Sequence, residues 1–246
     1  MSGAVRHTGD ALEVHVDLTN RGDAFAGSVT AEADLLGERG RSTLPEGLAP
    51  GGTGRLTFHL PLDLPRPGVY ALTLLLDYST VDPGAAASPE TLSQRAYLLV
   101  SLGAATPPPA VRVSVAPGTL GTYGTVPIEI ESADGQAHRV RVRVETARGL
   151  RALDGGREVD VPTEGAARLE AGLVRSGPPR SGRQGILVIV EAQDGDVHRT
   201  AVATGSVELV REEPWLPRLR VPLAAAAALL VAATLAAELL RRRPRA

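Results

Sequence analysis

A chain of 246 residues with no cysteine, 26 cations and 28 acidic residues carries a formal charge of −2. The missing thiols exclude a disulfide framework, a thiolate nucleophile, Cys-ligated zinc and iron–sulfur clusters. The near-neutral balance lacks the basic surface that nucleic acid requires, so no nucleic-acid partner is expected.

All the cations are Arg and the only Asn is Asn20, which reads as the codon bias of a GC-rich genome. Apolar residues make up 43% of the chain, and 27 Gly and 19 Pro punctuate them. That composition favours short elements joined by many turns over long helices.

From Asp10 to Leu102 apolar and polar residues alternate in short runs. Leu12, Val14, Val16 and Leu18 share one face, with Glu13, His15 and Asp17 on the other. Val29 to Leu35, Leu56 to Leu60, Tyr70 to Tyr78 and Leu98 to Leu102 repeat the period of two. Such a set predicts antiparallel strands of a sandwich. Before Leu12 the pattern leaves room only for a stub, so this module is expected to lack its first strand.

Between the first two runs stands "DLTNRGDAFAG", Asp17 to Gly27. Its Arg21-Gly22-Asp23 spells a known cell-adhesion tripeptide. It also falls where one strand ends and the next begins. Asn, Gly and Asp each favour a turn for their own reasons, and an inter-strand turn is the reading taken.

"GAATPPP", residues 103–109, breaks the alternation as a stiff linker expected to set the angle between modules. A second set of seven to eight short runs follows, from Val111 to Leu209. The expected organisation is a first module at 1–102, the linker at 103–109 and a second module at 110–210. The fold class is all-β, two tandem immunoglobulin-like antiparallel sandwiches, followed by one transmembrane helix.

That helix is "VPLAAAAALLVAATLAAELL", residues 221–240, preceded by a juxtamembrane segment at 211–220. At about 1.5 Å per residue it spans roughly 30 Å, the thickness of a bilayer's hydrocarbon core. Trp215 precedes it where an interfacial ring belongs, and Arg241, Arg242 and Arg243 open a basic tail at 241–246. Ala224, Ala228, Ala232 and Ala236 form a small-residue row that suits a helix–helix contact. A segment with nine Ala also produces such a row by composition alone. The Arg bias places the C-terminus in the cytoplasm and both modules outside. "MSGAVRHTGDALEV" has no apolar stretch to direct export, so this topology needs an export signal upstream of Met1; the alternative is a tail-anchored protein with its modules inside, and a missing signal is the reading taken.

"LTNRGDAFAGSVTAEADL", "LAPGGTGRLTFHL" and "RPGVYALTLLLDYS" together resemble bacterial immunoglobulin-like modules of the CARDB type. The resemblance rests on an Asn-x-Gly turn at Asn20 and Gly22 and a Pro-Gly-x-Tyr strand entry at Gly68 and Tyr70. It implies that Tyr70 is a corner tyrosine whose hydroxyl bonds nearby backbone. The second module more distantly resembles the NPCBM-associated module of bacterial envelope proteins and glycosidases. Both imply fold more than function.

Residues that could carry chemistry are scattered. No pair among His7, His15, His59, His138 and His198 has metal-motif spacing, although His15 and His59 could be neighbours. Asp134-Gly135 and Asp194-Gly195 are hairpin turns with too few carboxylates for calcium. Glu129 and Glu131 alternate with apolar Ile on a strand's solvent face. Arg139, Arg141 and Arg143 form an outward row that could grip an acidic glycan or simply be a solvated face. Phe25, Tyr97 and Tyr123 are too few for a sugar-binding aromatic platform. No catalytic residue, metal or cofactor is therefore expected.

The functional expectation is a non-enzymatic bacterial envelope protein whose partners are the lipid bilayer and another protein. It would present its modules for interaction, adhesion or scaffolding. Two alternatives stay open: an accessory subunit of a larger membrane complex held by its helix, and a glycan-binding accessory to envelope polysaccharide machinery.

Overall fold

The computed structural model describes residues 2–8, 11–61, 66–81, 90–103, 106–177 and 182–210. The expected transmembrane helix, its Ala row, Trp215 and the Arg-rich tail lie outside the described residues. Within them the chain is all-β.

The first sandwich uses β1 (Ser2–Thr8), β2 (Ala11–Thr19), β3 (Phe25–Leu35), β4 (Glu38–Leu44), β5 (Thr53–Pro61), β6 (Gly68–Val81) and β7 (Glu90–Leu102). One sheet runs β1-β2-β5 and the other β4-β3-β6-β7, with antiparallel pairing throughout. This three-on-four arrangement is that of an immunoglobulin-like sandwich. Leu12, Val14 and Val16 from one sheet meet Leu72, Leu74 and Ala33 from the other in a shared core. The period of two on β2 and β5 puts every second residue there and the polar remainder outside.

The stub expected before Leu12 is instead a seven-residue strand, β1, paired with β2 from Ser2↔Asp17 to Thr8↔Ala11. Its sequence shows no alternation because, of its apolar side chains, Val5 alone packs against the core. An outer strand held by backbone bonding needs little apolar patterning.

The second sandwich opens with β8 (Val111–Val115), β9 (Gly118–Leu120), β10 (Tyr123–Ser132) and β11 (His138–Thr146). It continues with β12 (Leu150–Ala152), β13 (Arg157–Val161), β14 (Ala166–Arg175), β15 (Gly182–Asp194) and β16 (Val197–Leu209). One sheet runs β12-β14-β10-β8; the other runs β13-β11-β15-β16, with β9 parallel to β16 at the edge. Ile128, Ile130, Val142 and Val188 centre one part of its core, and Leu120, Leu173 and Ile186 the other.

The two sandwiches dock on each other. On β6 the outward residues Val69, Ala71, Thr73 and Leu75 are as buried as the core row beside them. On β15 the outward Leu187 and Ile189 are 3% and 0% exposed. None of these six belongs to a sandwich core. Hydrogen bonds and ion pairs between the same faces show what covers them. Thr200 Oγ1 donates to the Val69 carbonyl at 2.7 Å, and the His198 amide donates to the Pro67 carbonyl at 3.0 Å. A single parallel rung, His198↔Gly68, joins β16 to β6.

Further along the seam, Arg95 Nε donates to the Thr146 carbonyl at 2.8 Å and Arg95 pairs with Glu145 at 3.1 Å. Arg148 pairs with Asp77 at 2.8 Å. An ion pair with an exposed partner, such as Arg148 with Asp77, contributes little, about 0–1 kcal/mol. The buried apolar row stabilises the seam more, by roughly 1.5–3 kcal/mol for each large side chain. The angle between the sandwiches, expected from the linker, is thus fixed by direct contact.

Leu75→Ala removes apolar surface from the seam while leaving both cores intact. It is expected to weaken docking by about 2–3 kcal/mol. Calorimetry is expected to show one unfolding transition for the wild-type β-region and two for the variant.

Candidate functional site at the loop end of the first sandwich

β2 ends at Thr19 and the chain turns through Asn20 to Ala24 before β3. Asn20 holds this turn to a second loop. Its Nδ2 donates to the carbonyls of Ala24 and Leu48, both at 2.9 Å. Its Oδ1 accepts from the Gly22 amide at 3.0 Å, closing an Asx turn. Its backbone bonds Gly52 and Gly51 on the β4–β5 connection. Paired backbone bonds between Ala26 and Leu48 complete the clamp. The chain's only Asn thus fixes two loops at one end of the sandwich.

Beside this clamp opens a cleft of about 510 Å³. Leu18, Leu48, Leu76 and Tyr78 supply apolar surface where the core reaches the sandwich end. Arg21 and Asp23 stand exposed on its lip, and neither forms an ion pair among the described residues. The adhesion-like tripeptide is therefore the exposed tip of a turn that Asn20 braces from within. An apolar hollow with a polar lip can seat a side chain of a partner and orient it.

The other sequence candidates do not assemble into chemistry. His15 and His59 lie on adjacent strands, but the His15 ring bonds Thr57 Oγ1 at 3.1 Å. No group of three or more His, Asp and Glu side chains suited to a metal ion occurs among the described residues. Glu129 is paired with Arg168 at 2.9 Å. In the Arg row, Arg139 bonds Glu158 and Arg143 bonds Glu191 at 3.4 Å, so two of its three cations are engaged on the protein's own surface. Asp134 accepts from His138 at 2.7 Å and from the Gln136 amide at 3.1 Å, which lowers its carboxyl pKa to about 2. That carboxylate serves its turn. Tyr123 is 59% exposed, while Phe25 and Tyr97 are half-buried on other strands.

Gly68 and Tyr70 lie at the junction of the sandwiches. Tyr70 donates its hydroxyl to the Arg66 carbonyl at 2.9 Å, and its ring stacks on His198 with centroids 4.1 Å apart and planes 4° apart. A Cβ on Gly68 would stand 2.1 Å from the His198 carbonyl oxygen, so only glycine permits the strands to meet there. Sequence reading missed this junction and its residues Arg66, Glu191, His198 and Thr200. The available signal was the near-continuous apolar run in "VYALTLLL", broken only by Thr73, and in "ILVIV", which marks strands buried on both faces.

No protein-family model matches the chain, and no curated protein matches it in sequence. Solved structures resemble it distantly. CBD12 from CALX1.2 is 12% identical with a TM-score of 0.28, over 80% of this chain and 92% of that one. The Enterococcus faecalis MSCRAMM ACE is 8% identical with a TM-score of 0.29, over 87% and 96%. Red sea bream transglutaminase is 15% identical with a TM-score of 0.25, over 86% of this chain. The chain spans 31% of that enzyme's length and 17% of that of E. coli alpha-2-macroglobulin. The fold assignment rests on strand order and cores rather than on these likenesses.

Asn20→Ala removes the side-chain partner of the Ala24 carbonyl and the Gly22 amide, and leaves the Leu48 carbonyl with the Ala26 amide alone. A loss of about 1–3 kcal/mol in urea unfolding is expected, and Asn20→Asp should recover little because it keeps the acceptor but loses both donors.

Proposed function

We propose that this chain is a non-enzymatic interaction protein of a bacterial envelope. The docked sandwiches stand outside the membrane on the C-terminal helix, and the first sandwich engages a protein partner through the cleft beside Asn20. The observation that carries this reading is the cleft: apolar surface left open at the sandwich end, beside a turn that a dedicated side-chain clamp ties to a second loop. Sandwich ends with fixed loops are the usual place for recognition on this architecture. A protein partner suits the site better than a saccharide, because Tyr78 is the only aromatic side chain among the described residues of its lining. The CARDB-type resemblance of the first sandwich agrees with an adhesive or scaffolding role.

The site is tested by placing a photo-crosslinking residue at Gln94, on the cleft lip, in intact cells. A discrete adduct is expected, and Ala24→Arg, which fills the mouth, should abolish it without lowering the melting temperature. No adduct, or one indifferent to Ala24→Arg, counts against the cleft.

The topology is tested separately. Protease added to intact spheroplasts should digest both sandwiches and spare the Arg-rich tail; protected sandwiches would reverse the orientation.

A further inference from the structure

His198 lies on the face of β16 that meets β6. Its ring is pressed flat against Tyr70, and its Nε2 atom is buried without a hydrogen-bond partner. The charged groups around it come from every neighbouring element. Glu191 on β15 approaches Nε2 to 3.9 Å, beyond hydrogen-bond reach. Arg143 on β11 already holds that carboxylate at 3.4 Å. From the first sandwich come Tyr70 and Arg66, whose guanidinium donates to the Gly195 carbonyl at 3.1 Å. These contacts, with Thr200 to Val69 and His198 to Pro67, tie the two sandwiches together within a few residues on each chain segment.

We propose that His198 is a pH-sensitive latch between the two sandwiches, closed when the imidazole is neutral and loosened when it takes a proton. The protonated ring carries N–H on both nitrogens, has no acceptor within hydrogen-bond reach of Nε2, and sets a second cation near Arg143. Opening the seam hydrates the new charge and uncovers the apolar faces at Val69, Ala71, Leu75, Leu187 and Ile189.

Burial lowers the His198 pKa below the usual histidine value; Glu191 opposes this and Arg143 adds to it. The undocked ring titrates near 6.5, so docking has its full strength above about pH 6.5 and loses it as the pH falls toward the lower docked-state value. Across that window the docking constant falls by up to about tenfold per pH unit.

The cysteine-free chain accepts spin labels at Arg41→Cys and Glu170→Cys, one exposed position on each sandwich. The full chain in detergent should give one narrow inter-label distance at about pH 7.5 and a broadened, longer population at about pH 5. His198→Phe keeps the ring stack but cannot titrate, and should stay narrow at both. Identical wild-type distributions at the two pH values, or an equal opening in His198→Phe, would overturn the latch. Ring-proton NMR of the wild-type chain supplies a check independent of the variant. A His198 midpoint at or above about 6.5 would overturn it as well.

Discussion

An antiparallel sheet usually turns one face to a core and the other to water. Here two strands, β6 and β15, carry buried apolar residues on both faces, and their second faces are covered where the two sandwiches meet. The rest of the described structure is organised by that demand. It brings the start of β6 against β16 closely enough for a backbone rung, and it places Arg95 and Arg148 where they bond across the seam. The polar contacts fix register and angle, while the apolar rows supply most of the attraction.

β6 also connects the two regions that differ most in character. It starts at the docked junction with Gly68 and Tyr70 and runs 14 residues to the cleft, where Tyr78 and Thr80 line the opening. At about 3.3 Å per residue that is roughly 45 Å of continuous strand. Anything seated in the cleft therefore touches the same strand that holds the second sandwich, and the inner row of that strand forms part of the first core.

Much of the fold was legible because half-buried strands leave a period of two in the sequence. Leu12 to Leu18 and Leu56 to Leu60 read directly onto β2 and β5. The signal failed in three physical situations. β1 contributes Val5 alone to the core, so backbone pairing rather than patterning holds it. β9 and β12 are three residues long, too short for any period. In β6 and β15 the inward row reads correctly, but the residues between its members are buried as well, and the sequence reading left that second face without a covering surface. The candidate site was half legible. The turn chemistry of Asn20 and Gly22 pointed to its place, but the partner that joins Asn20 to the second loop, the Leu48 carbonyl, lies 28 residues away, and only folding brings it there.

The glycine at the junction leaves a mark that heredity would preserve. A side chain at position 68 and a docked His198 exclude each other, since the first carbon of any substituent would overlap the carbonyl opposite. In a lineage whose sandwiches stay clasped, that position cannot drift, however freely the surrounding loops change. In a lineage whose sandwiches have come apart, the restriction lapses and larger residues can enter. Among descendants of this architecture, one column of sequence would tell the hinged proteins from the rigid ones.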